Sequence, residues 1–449
     1  MTSREVRDPI HGLITLGETE WKVIDSPAFQ RLRGIQQLAL TNLVYPGARH
    51  SRFEHCMGAS HVAGRLSDVL GLESGEKVRL AALCHDIGHG PFSHVSEMVF
   101  EDLTGRHHIH EEISAAVVRY HEPVRQALGD EVSEWIAELL SGTGHGARRS
   151  VERDIVAGPA DIDKLDYLLR DSHYCGVQYG RFDLAKLVES ARLVADMGGT
   201  GLAFHIDGIY AVEEMLLARY HMHRQVYGHK TRIATDKMLV RSMKFGVEEG
   251  VLPKRIFAPP KTLSKAWVKD YLVWDDARVI AALCGAKSSS RGGQIMRALV
   301  ERKLQKRVLR LTYQDLCDEM GIPEAGNAVD PQEVGVVLGA AEAAVAASIG
   351  VDPMWLTLHW EDLRSPISSR HSFRVANSAV LIKKEDDSVT TLNQASDVFT
   401  DTELAARRAV CVYAKLPNGV DRLTAEKATA LRSATLEALS MISQHSANV

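Results

Sequence analysis

The 449-residue sequence has no long hydrophobic run, little cysteine, few aromatic residues and no large excess of charge of either sign. No apolar stretch reaches the roughly 20 residues of a membrane helix, and Met1-Thr-Ser-Arg-Glu-Val has no signal-peptide core. The six cysteines are scattered without a Cys-x-x-Cys pair, which favours reduced thiols over a disulfide framework. We therefore predict a cytoplasmic protein that does not associate with membranes.

Charge gives little support to a nucleic-acid partner. The chain carries 53 Lys and Arg against 58 Asp and Glu, a formal net charge of -5. Local basic clusters such as residues 302–307 exist, but such a run is usually a solvated helix face. We predict no surface devoted to nucleic acid.

A change of pattern near residue 311 divides the chain. Amphipathic helical patterns dominate before it. After it come an alanine-rich helical stretch at 334–349, alternating segments at 373–375, 379–383 and 409–415, and a closing helix at 424–442. We predict a mainly α protein, with a helical core over residues 1–310 and a smaller C-terminal α+β lobe over residues 311–449.

The strongest chemical signal is Leu80-Ala-Ala-Leu-Cys-His-Asp-Ile-Gly-His-Gly-Pro-Phe-Ser-His94. The apolar run predicts a buried helix, with His85 and Asp86 at its C-terminal end before glycine and proline break the pattern. An imidazole beside a carboxylate suits Zn, Mn or Fe. For an isolated pair, a core histidine bonded to a local aspartate would be the better interpretation.

Other candidates for the same chemistry lie elsewhere in the chain. His55 falls on an otherwise apolar helix face and is a candidate third ligand, and His110 lies near another apolar stripe. The stretch 160–171 has more acids than a buried helix tolerates without a neutralising cation. An exposed helix with Asp–Lys pairs is an equally good reading of that stretch.

Two polar patterns complete the candidates. Gln30, Arg33 and Gln37 recur at helical intervals on a predicted helix over residues 28–39, where a solvated face is the simpler reading. Arg219, His223 and Tyr227 are spaced by four and predict one polar stripe suited to an anion pocket.

The order H…HD…D resembles the HD phosphohydrolase superfamily, and the flanking motifs are similar to those of its dNTP triphosphohydrolases. That family includes the vertebrate SAM-and-HD-domain enzyme and bacterial dGTPase-like relatives. The shared motifs are Asp8-Pro-Ile-His-Gly, Phe29-Gln-Arg-Leu-Arg, Ser51-Arg-Phe-Glu-His, the run around His85, His110-Glu, Asp163-Lys-Leu-Asp-Tyr and Tyr227-x-His-Lys. The resemblance is dense from residue 7 to 232.

The resemblance implies a site for dNTP hydrolysis to deoxynucleoside and triphosphate. It makes His55, His85, Asp86 and Asp163 the ligands of a divalent metal (Mn, Fe, Zn or Mg), and His110 a general acid or proton carrier supported by Glu97 and His94. The implied substrate-binding residues are Gln37, Leu38, Arg52, His89, Lys164, Tyr167, Asp171, Arg219, His223 and Tyr227. Among them, Arg52, His89, Lys164 and Arg219 would neutralise the triphosphate, Gln37 and Asp171 would bond the sugar 3′-hydroxyl, and Tyr227 would exclude a 2′-hydroxyl.

The resemblance also implies regulation by a nucleotide. Asp25, Gln30, Arg33 and Arg192 would read a guanine activator between the subunits of a homo-oligomer (dimer, tetramer or hexamer). Asp25 and Arg33 on one short helix are chemically suited to guanine, whereas a surface ion pair is the structural alternative. Arg7 stands where the family has asparagine, and residues 202–207 do not reproduce its basic allosteric residues.

Different functions remain open to the same residues. An HD-domain phosphodiesterase, nucleotidase or nuclease would keep the chemistry with another substrate, and a catalytically dead nucleotide-binding regulator would lose it. The resemblance favours a nucleotide-activated triphosphohydrolase that controls or depletes dNTP pools, including in phage defence.

Overall fold

The computed structural model describes residues 4–144, 150–196, 199–320, 331–363, 380–396, 398–399, 407–416 and 422–446. These ranges are mainly helical with small sheets, as the sequence predicts. Within them, no helix has the length and apolar character needed to cross a membrane. The cytoplasmic location stays a prediction.

The helices follow one another along almost the whole described chain. Their bounds are α1 (Glu18–Ile24), α2 (Pro27–Gln30), α3 (Arg52–Leu70), α4 (Gly75–Cys84), α5 (His94–Thr104), α6 (Ile109–Tyr120), α7 (Glu122–Leu128), α8 (Asp130–Ser141), α9 (Val151–Ala157), α10 (Ile162–Cys175), α11 (Leu184–Glu189), α12 (Ile209–Met222), α13 (Lys230–Glu248), α14 (Lys254–Phe257), α15 (Lys265–Tyr271), α16 (Asp276–Cys284), α17 (Arg291–Val300), α18 (Tyr313–Met320), α19 (Pro331–Ile349), α20 (Leu392–Ala395) and α21 (Ala425–Ser446).

The strands form three small sheets in the described ranges. They are β1 (Arg4–Asp8), β2 (Gly12–Leu16), β3 (Ala191–Asp196), β4 (Gly199–His205), β5 (Lys306–Thr312), β6 (Leu356–Leu363), β7 (Leu381–Lys383), β8 (Val389–Thr391) and β9 (Arg407–Ala414). β1 and β2 make a hairpin, and the other sheets have the orders β3-β4-β7-β8 and β5-β9-β6. Pairing is antiparallel except between β4 and β7.

The chain divides into two compact units that alternate along the sequence. As far as their residues are described, the first takes Met1–Met222, Met243–Ala286 and Pro366–Thr402, and the second takes His223–Ser242, Lys287–Ser365 and Glu403–Val449. These units differ in their bounds from the division at residues 310 and 311, which stays a prediction of domain organisation.

The first unit buries the apolar C-terminal half of α4. Val78, Leu83 and Cys84 have no exposed surface, and α4 packs against α3, which in turn packs against α10. Each neighbour begins at a side-chain cap, since Ser51 and Glu54 form a capping box on α3 and Asp161 accepts from the Lys164 amide on α10. Capped ends fix where the first turns of α3 and α10 lie relative to the end of α4.

The second unit packs helices onto the β5-β9-β6 sheet. Val410, Val412 and Ala414 of β9 lie in one buried cluster with Val345 of α19 and Leu431 of α21. The predicted alanine-rich helix, closing helix and 409–415 strand are thereby confirmed. The predicted segment at 373–375 lies outside the described residues.

Some sequence-based elements were wrong or missed. The helix predicted over 28–39 ends at Gln30 and continues as a 3-10 turn over Arg31–Gly34, because Gln36 forms a β-bridge with Ser51 and leaves the helical path. The regular helical spacing predicted for Arg219, His223 and Tyr227 is interrupted, because α12 ends at Met222 and a π-helical segment, His223–Tyr227, follows. Strands β1, β3, β4, β5, β6 and β8 were not predicted, and β5 begins at Lys306 inside the basic run for which a helix face was expected.

Candidate active site

The central motif lies where α4 ends. His85 is the C-cap of α4, and its Nδ1 donates to the Ala82 carbonyl at 2.7 Å. Because a carbonyl only accepts, the proton sits on Nδ1 and the Nε2 lone pair faces away from the helix. His85 is thus held as the tautomer that binds a metal through Nε2.

His55 is oriented in the same way from the first turn of α3. Its Nδ1 donates to Asp166 Oδ2 at 2.8 Å, which leaves Nε2 facing the end of α4. Nε2 lies 3.0 Å from Asp163 Oδ1 and 3.4 Å from Asp86 Oδ2. The imidazole has no exposed surface.

The four predicted ligands meet at one point. One ligand atom from each of His55, His85, Asp86 and Asp163 lies within 4.8 Å of the others. His55 Nε2 and His85 Nε2 are buried without a hydrogen-bond partner among the described residues. Lone pairs that face one another in a buried site repel unless a proton or a cation lies between them. Two imidazoles and two carboxylates fit a divalent cation.

The electrostatics of the cluster also favour positive charge at its centre. Burial disfavours the Asp86 and Asp163 carboxylates, but Arg52 beside Asp86 and His55 beside Asp163 hold both pKa values well below the ordinary range. Burial alone would lower the pKa of His55, yet the surrounding carboxylates raise it well above its usual value. Asp163 is the most exposed of the four ligands, with 25% of its side chain open to solvent, against 10% for His85.

A buried ionic network supports His55. Asp166 accepts from His55 and from His11 Nε2 at 2.7 Å, and Arg170 donates to both of its oxygens at 2.8 Å. Arg170 also donates to Asp8 Oδ2 at 2.9 Å. All four acceptor positions of the Asp166 carboxylate are therefore used, which fixes its orientation. Carboxylate support of this kind fixes the tautomer of a metal-binding histidine.

Gly58 makes room for this network on α3. A Cβ at this position would overlap Asp166 Oδ1 and the Arg170 guanidinium. We expect Gly58→Ala to weaken metal binding about 10- to 100-fold, because Asp166 would be displaced from His55. Overpacking should also lower the free energy of unfolding by about 1–3 kcal/mol. Metal titration and thermal unfolding would measure both effects.

Gly339 offers a matched control. It lies within α19, is exposed, and has open space where a Cβ would go. Gly339→Ala should leave metal affinity unchanged and raise stability by roughly 0.5–1 kcal/mol, the usual gain of alanine over glycine in a helix. Wild-type metal affinity in Gly58→Ala would contradict the role given to Asp166.

The predicted acid–base residues form a second group beside the cluster. His110 Nδ1 and Glu97 Oε1 share a short hydrogen bond, and His94 Nδ1 lies 3.2 Å from Glu97 Oε2. His110 stacks on His89 with ring centroids 4.3 Å apart, and His89 Nε2 is 3.3 Å from Asp86 Oδ1. The glycine at 88 allows this approach, since a Cβ there would overlap the backbone of α6.

The histidines in this group have opposite charge preferences. Burial lowers the pKa of His110, but Glu97 outweighs it and raises the pKa to about 9. Burial and the nearby Arg52 charge lower the pKa of His89 well below its ordinary value. His110 therefore favours its protonated form at neutral pH, and His89 favours its neutral form.

Two of the predicted triphosphate-binding residues are held by protein carboxylates. Arg52 pairs with Asp86, donates to Ser93 Oγ at 3.0 Å and lies 3.3 Å from His94 Nε2. Lys164 Nζ is buried and donates to the Gly158 carbonyl at 3.1 Å and to Asp161. Arg52 thus lies at the cluster, whereas Lys164 is directed toward the start of its own helix.

The predicted sugar-binding pair is joined by a histidine that the sequence did not single out. His50 Nε2 lies 2.7 Å from Asp171 Oδ1, and the backbone carbonyl of His50 accepts from the backbone amide of Gln37 at 3.0 Å. Gln37 Oε1 is buried without a partner among the described residues, so it is an available acceptor. Two polar side chains at this point suit a hydroxyl ligand.

The other predicted substrate-binding residues have fewer contacts that bear on their role. Leu38 is buried. Burial raises the pKa of Tyr167, and the nearby Arg219 charge offsets only part of that rise. His223 and Tyr227 belong to the second unit, where their rings meet edge to face at 5.0 Å. Their role, like that of Arg219, stays a prediction.

The predicted activator residues do not share one helix, which corrects the sequence-based expectation. Asp25 follows α1, Gln30 ends α2 and Arg33 lies in the 3-10 turn, because the extended backbone at Ser26 separates α1 from α2. Gln30 Oε1 nevertheless accepts from Arg33 Nε at 2.9 Å, while Asp25 forms a loose, exposed pair with Arg4. Arg192 in β3 donates to the Glu189 and Ala191 carbonyls.

The fold and site define a mainly helical protein of the class that binds a cation between histidine and aspartate side chains. Comparison with known protein families supports this class. The family model of the HD domain matches residues 52–171, and the family model of the HD associated region matches residues 182–415. The chain belongs to the HD-domain phosphohydrolase family.

Two curated relatives are similar to about half of the chain. The chain is 35% identical over 255 residues to the deoxynucleoside triphosphate triphosphohydrolase SAMHD1 homolog of Dictyostelium discoideum, covering 53% of this chain and 48% of the relative. It is 32% identical over 274 residues to human SAMHD1, which carries the same enzyme name, covering 53% and 44%. The chain thus spans about half the length of these curated relatives.

Among solved structures, the fold matches a hypothetical protein from Aquifex aeolicus with a TM-score of 0.70 at 24% identity, covering 92% of this chain and 97% of that one. A phosphohydrolase from Bacteroides thetaiotaomicron matches with a TM-score of 0.69 at 24% identity, covering 93% and 100%. At this identity the likeness concerns the fold alone.

Proposed function

We propose that this protein is a metal-dependent dNTP triphosphohydrolase, which converts dNTP and water to deoxynucleoside and inorganic triphosphate. The observation that carries the proposal is the meeting of His55, His85, Asp86 and Asp163 at one point, with the His110–Glu97 pair beside it. The relatives named as deoxynucleoside triphosphate triphosphohydrolases add support for this substrate class.

The four-residue cluster would hold the divalent ion (Mn, Fe, Zn or Mg). When bound, such an ion polarises phosphoryl oxygens and acidifies water. His55 and His85 are held with Nε2 available, and the low pKa values of Asp86 and Asp163 keep both carboxylates ionised. The carboxylates raise the pKa of His55, so this imidazole must lose a proton before its Nε2 can bind a cation.

His110 would carry the proton. In the proposed reaction water attacks the α-phosphorus, the bond from that phosphorus to the sugar O5′ breaks, and O5′ leaves as a hydroxyl after taking a proton. Glu97 orients His110 and favours its protonated form, so the pair supplies that proton. His94 contacts the other oxygen of Glu97 and would support it.

The remaining residues would hold the substrate. Arg52 and the neutral His89 lie beside Asp86, where the α-phosphate would be placed. Lys164 and Arg219 would add positive charge, and Leu38 and Tyr167 would shape the pocket. Gln37 and Asp171, joined through His50, would bond the 3′-hydroxyl.

We further propose that a nucleotide activator drives assembly of a homo-oligomer, either a dimer, a tetramer or a hexamer. Gln30 accepts from Arg33 Nε, which orients the exposed Arg33 guanidinium, and the other N–H donors of that guanidinium suit a purine edge. Asp25 and Arg192 would complete the site. Such an enzyme would control or deplete dNTP pools, including in phage defence.

Arg33→Ala should lose nucleotide activation while keeping metal and basal turnover. The reason is that a ligand shifts an assembly equilibrium only through its better affinity for the assembled state. Mass photometry and rate assays with paired nucleotides would measure both effects. Arg119→Ala is the control, since this arginine pairs with Glu134 on the surface, outside the proposed site.

Equal masses and strictly additive rates in every nucleotide pairing would show that no activator site operates. A mutant that keeps wild-type activation would instead remove Arg33 from that site.

Product analysis tests the proposed reaction against its rivals. Each dNTP, singly and in mixtures, is incubated with Mn²⁺ or Mg²⁺ and the products are separated by chromatography. Deoxynucleoside with triphosphate supports the proposal, whereas an HD phosphodiesterase, nucleotidase or nuclease would leave dNTPs uncleaved and act on cyclic nucleotides, monophosphates or nucleic acid. A regulator without catalysis would bind nucleotide and cleave none of these.

A further inference from the structure

Asp276 is a buried acid that the proposed chemistry does not use. It is the first residue of α16 and is 7% exposed. Its two oxygens accept from separate backbone amides, Oδ1 from Phe92 at 2.6 Å and Oδ2 from Gln36 at 2.9 Å. Burial raises the pKa of this carboxyl to about 7. The chain thus keeps an acid where ionisation is costly.

The helix itself does not require Asp276. The neighbouring Asp275 is the N-cap, and its side chain accepts from the Arg278 amide at 2.8 Å. Asp275 already satisfies the first turn, so the Asp276 carboxylate serves the two distant loops instead.

Those two loops converge on Arg52. Ser93 Oγ donates to the Gln36 carbonyl at 2.7 Å and accepts from Arg52 Nε at 3.0 Å. On the other side, the Arg52 amide donates to the Ile35 carbonyl at 2.9 Å. Arg52 is therefore held by one residue from each loop next to an Asp276 contact. Ser93 holds the guanidinium that pairs with Asp86, and Ile35 holds the backbone amide.

The loop after the HD motif needs such a restraint. Phe92 and Ser93 both have positive φ angles, 63° and 56°, although neither is glycine. Side-chain-bearing residues keep this conformation only where the surroundings hold them in it. The Asp276 carboxylate holds the first of the two directly through its amide.

We propose that Asp276 is a positioning residue that ties the Gln36 and Phe92 backbones together and thereby orients Arg52 against Asp86. Only the expected effect of Asp276 on turnover rests on the proposed function. The hydrogen bonds themselves are tested without any substrate.

The first measurement is amide hydrogen exchange in Asp276→Asn, with Asp275→Asn as the matched control. An asparagine keeps one acceptor and turns the other into a donor, so at least one of the Gln36 and Phe92 amides should exchange about tenfold faster or more. Asp275→Asn should leave both amides protected, since asparagine is also a good N-cap. Unchanged protection in Asp276→Asn would overturn the proposal.

The second measurement is a double-mutant cycle with Arg52→Ala. Misplacement of Arg52 in Asp276→Asn should lower dNTP turnover by about 10- to 100-fold. The same change in the Arg52→Ala background should have little further effect, because the group through which Asp276 acts is gone. Equal factors in both backgrounds would show a purely structural role and overturn the proposal.

Ser93→Ala keeps the test decisive if Asp276→Asn does not fold. It removes the hydroxyl that joins Gln36 to Arg52 and leaves both Asp276 contacts in place, so its loss of turnover should also vanish with Arg52→Ala. Persistence of that loss overturns the proposal. If the wild-type protein hydrolyses no dNTP, the proposed function fails, and the exchange measurement alone decides the role of Asp276.

Discussion

Replacing His85 and Asp86 together with alanine should remove bound metal and reduce dNTP hydrolysis to background. These residues supply two of the four ligand atoms, and what remains is one imidazole and one partly exposed carboxylate. Two ligands are too few for a site that needs about three or four protein donors. Elemental analysis and turnover assays would measure the two losses.

The helical body should stay folded in this double mutant. The helix that leads into the pair is buried through Leu83 and Cys84, which do not depend on the metal, and Arg52 keeps its contact with Ser93. Circular dichroism would show this.

A second histidine–aspartate pair outside the cluster gives the control. His205 and Asp207 lie 3.2 Å apart, and replacing both with alanine should leave metal content unchanged. Wild-type metal content in His85→Ala with Asp86→Ala would contradict the assignment of the site.

Changing His110 to alanine should lower turnover by roughly two to four orders of magnitude with metal retained, the range for a lost general acid or base. His110 touches Glu97 and His89 and is not one of the four clustered ligands, so the loss should fall on catalysis. Turnover and metal content measured on the same preparation distinguish a loss of catalysis from a loss of metal. His107→Ala is the control, because this nearby histidine is half exposed and pairs with Glu101.

Glu97→Gln should shift the alkaline limb of the pH–rate profile to lower pH. Glu97 raises the pKa of His110 against the effect of burial, so the acid form is present below that pKa and is lost as pH rises through it. Without the carboxylate, that loss should begin at lower pH. Near-normal activity of His110→Ala across the pH range would remove His110 from the mechanism.

The four clustered residues were predicted from the resemblance to the HD phosphohydrolases, because the local patterns left other interpretations open. The apolar run before His85 and the inward face around His55 predicted buried histidines, but a core histidine–aspartate pair and an exposed acidic helix around Asp163 were also consistent with the sequence. These patterns place three helices with independent packing, and the structure brings their ends together.

The supporting residues were not predictable in the same way. Asp166 and Arg170 are four apart on a helix, a spacing that is equally typical of an exposed ion pair, and only tertiary packing buries them with His55. His50 is one residue among several in a turn-rich segment. Asp276 lies 240 residues from one of the amides it binds, a separation at which a single sequence carries no signal.

The helix predicted over 28–39 shows how tertiary contacts override a helical pattern. Its apolar spacing is regular, yet Gln36 pairs with Ser51 and its amide is taken by Asp276. The same departure separates Asp25, Gln30 and Arg33 onto different elements. A helical reading of the activator residues was therefore wrong, although Gln30 and Arg33 do meet.

The central claim is tested most directly by hydrolysis of a dNTP in ¹⁸O-labelled water, followed by ³¹P NMR and mass spectrometry of the products. Attack of water on the α-phosphorus predicts intact triphosphate that carries the label on a terminal phosphorus, with an unlabelled deoxynucleoside. Orthophosphate or pyrophosphate as the primary product, or label in the deoxynucleoside, would contradict the account.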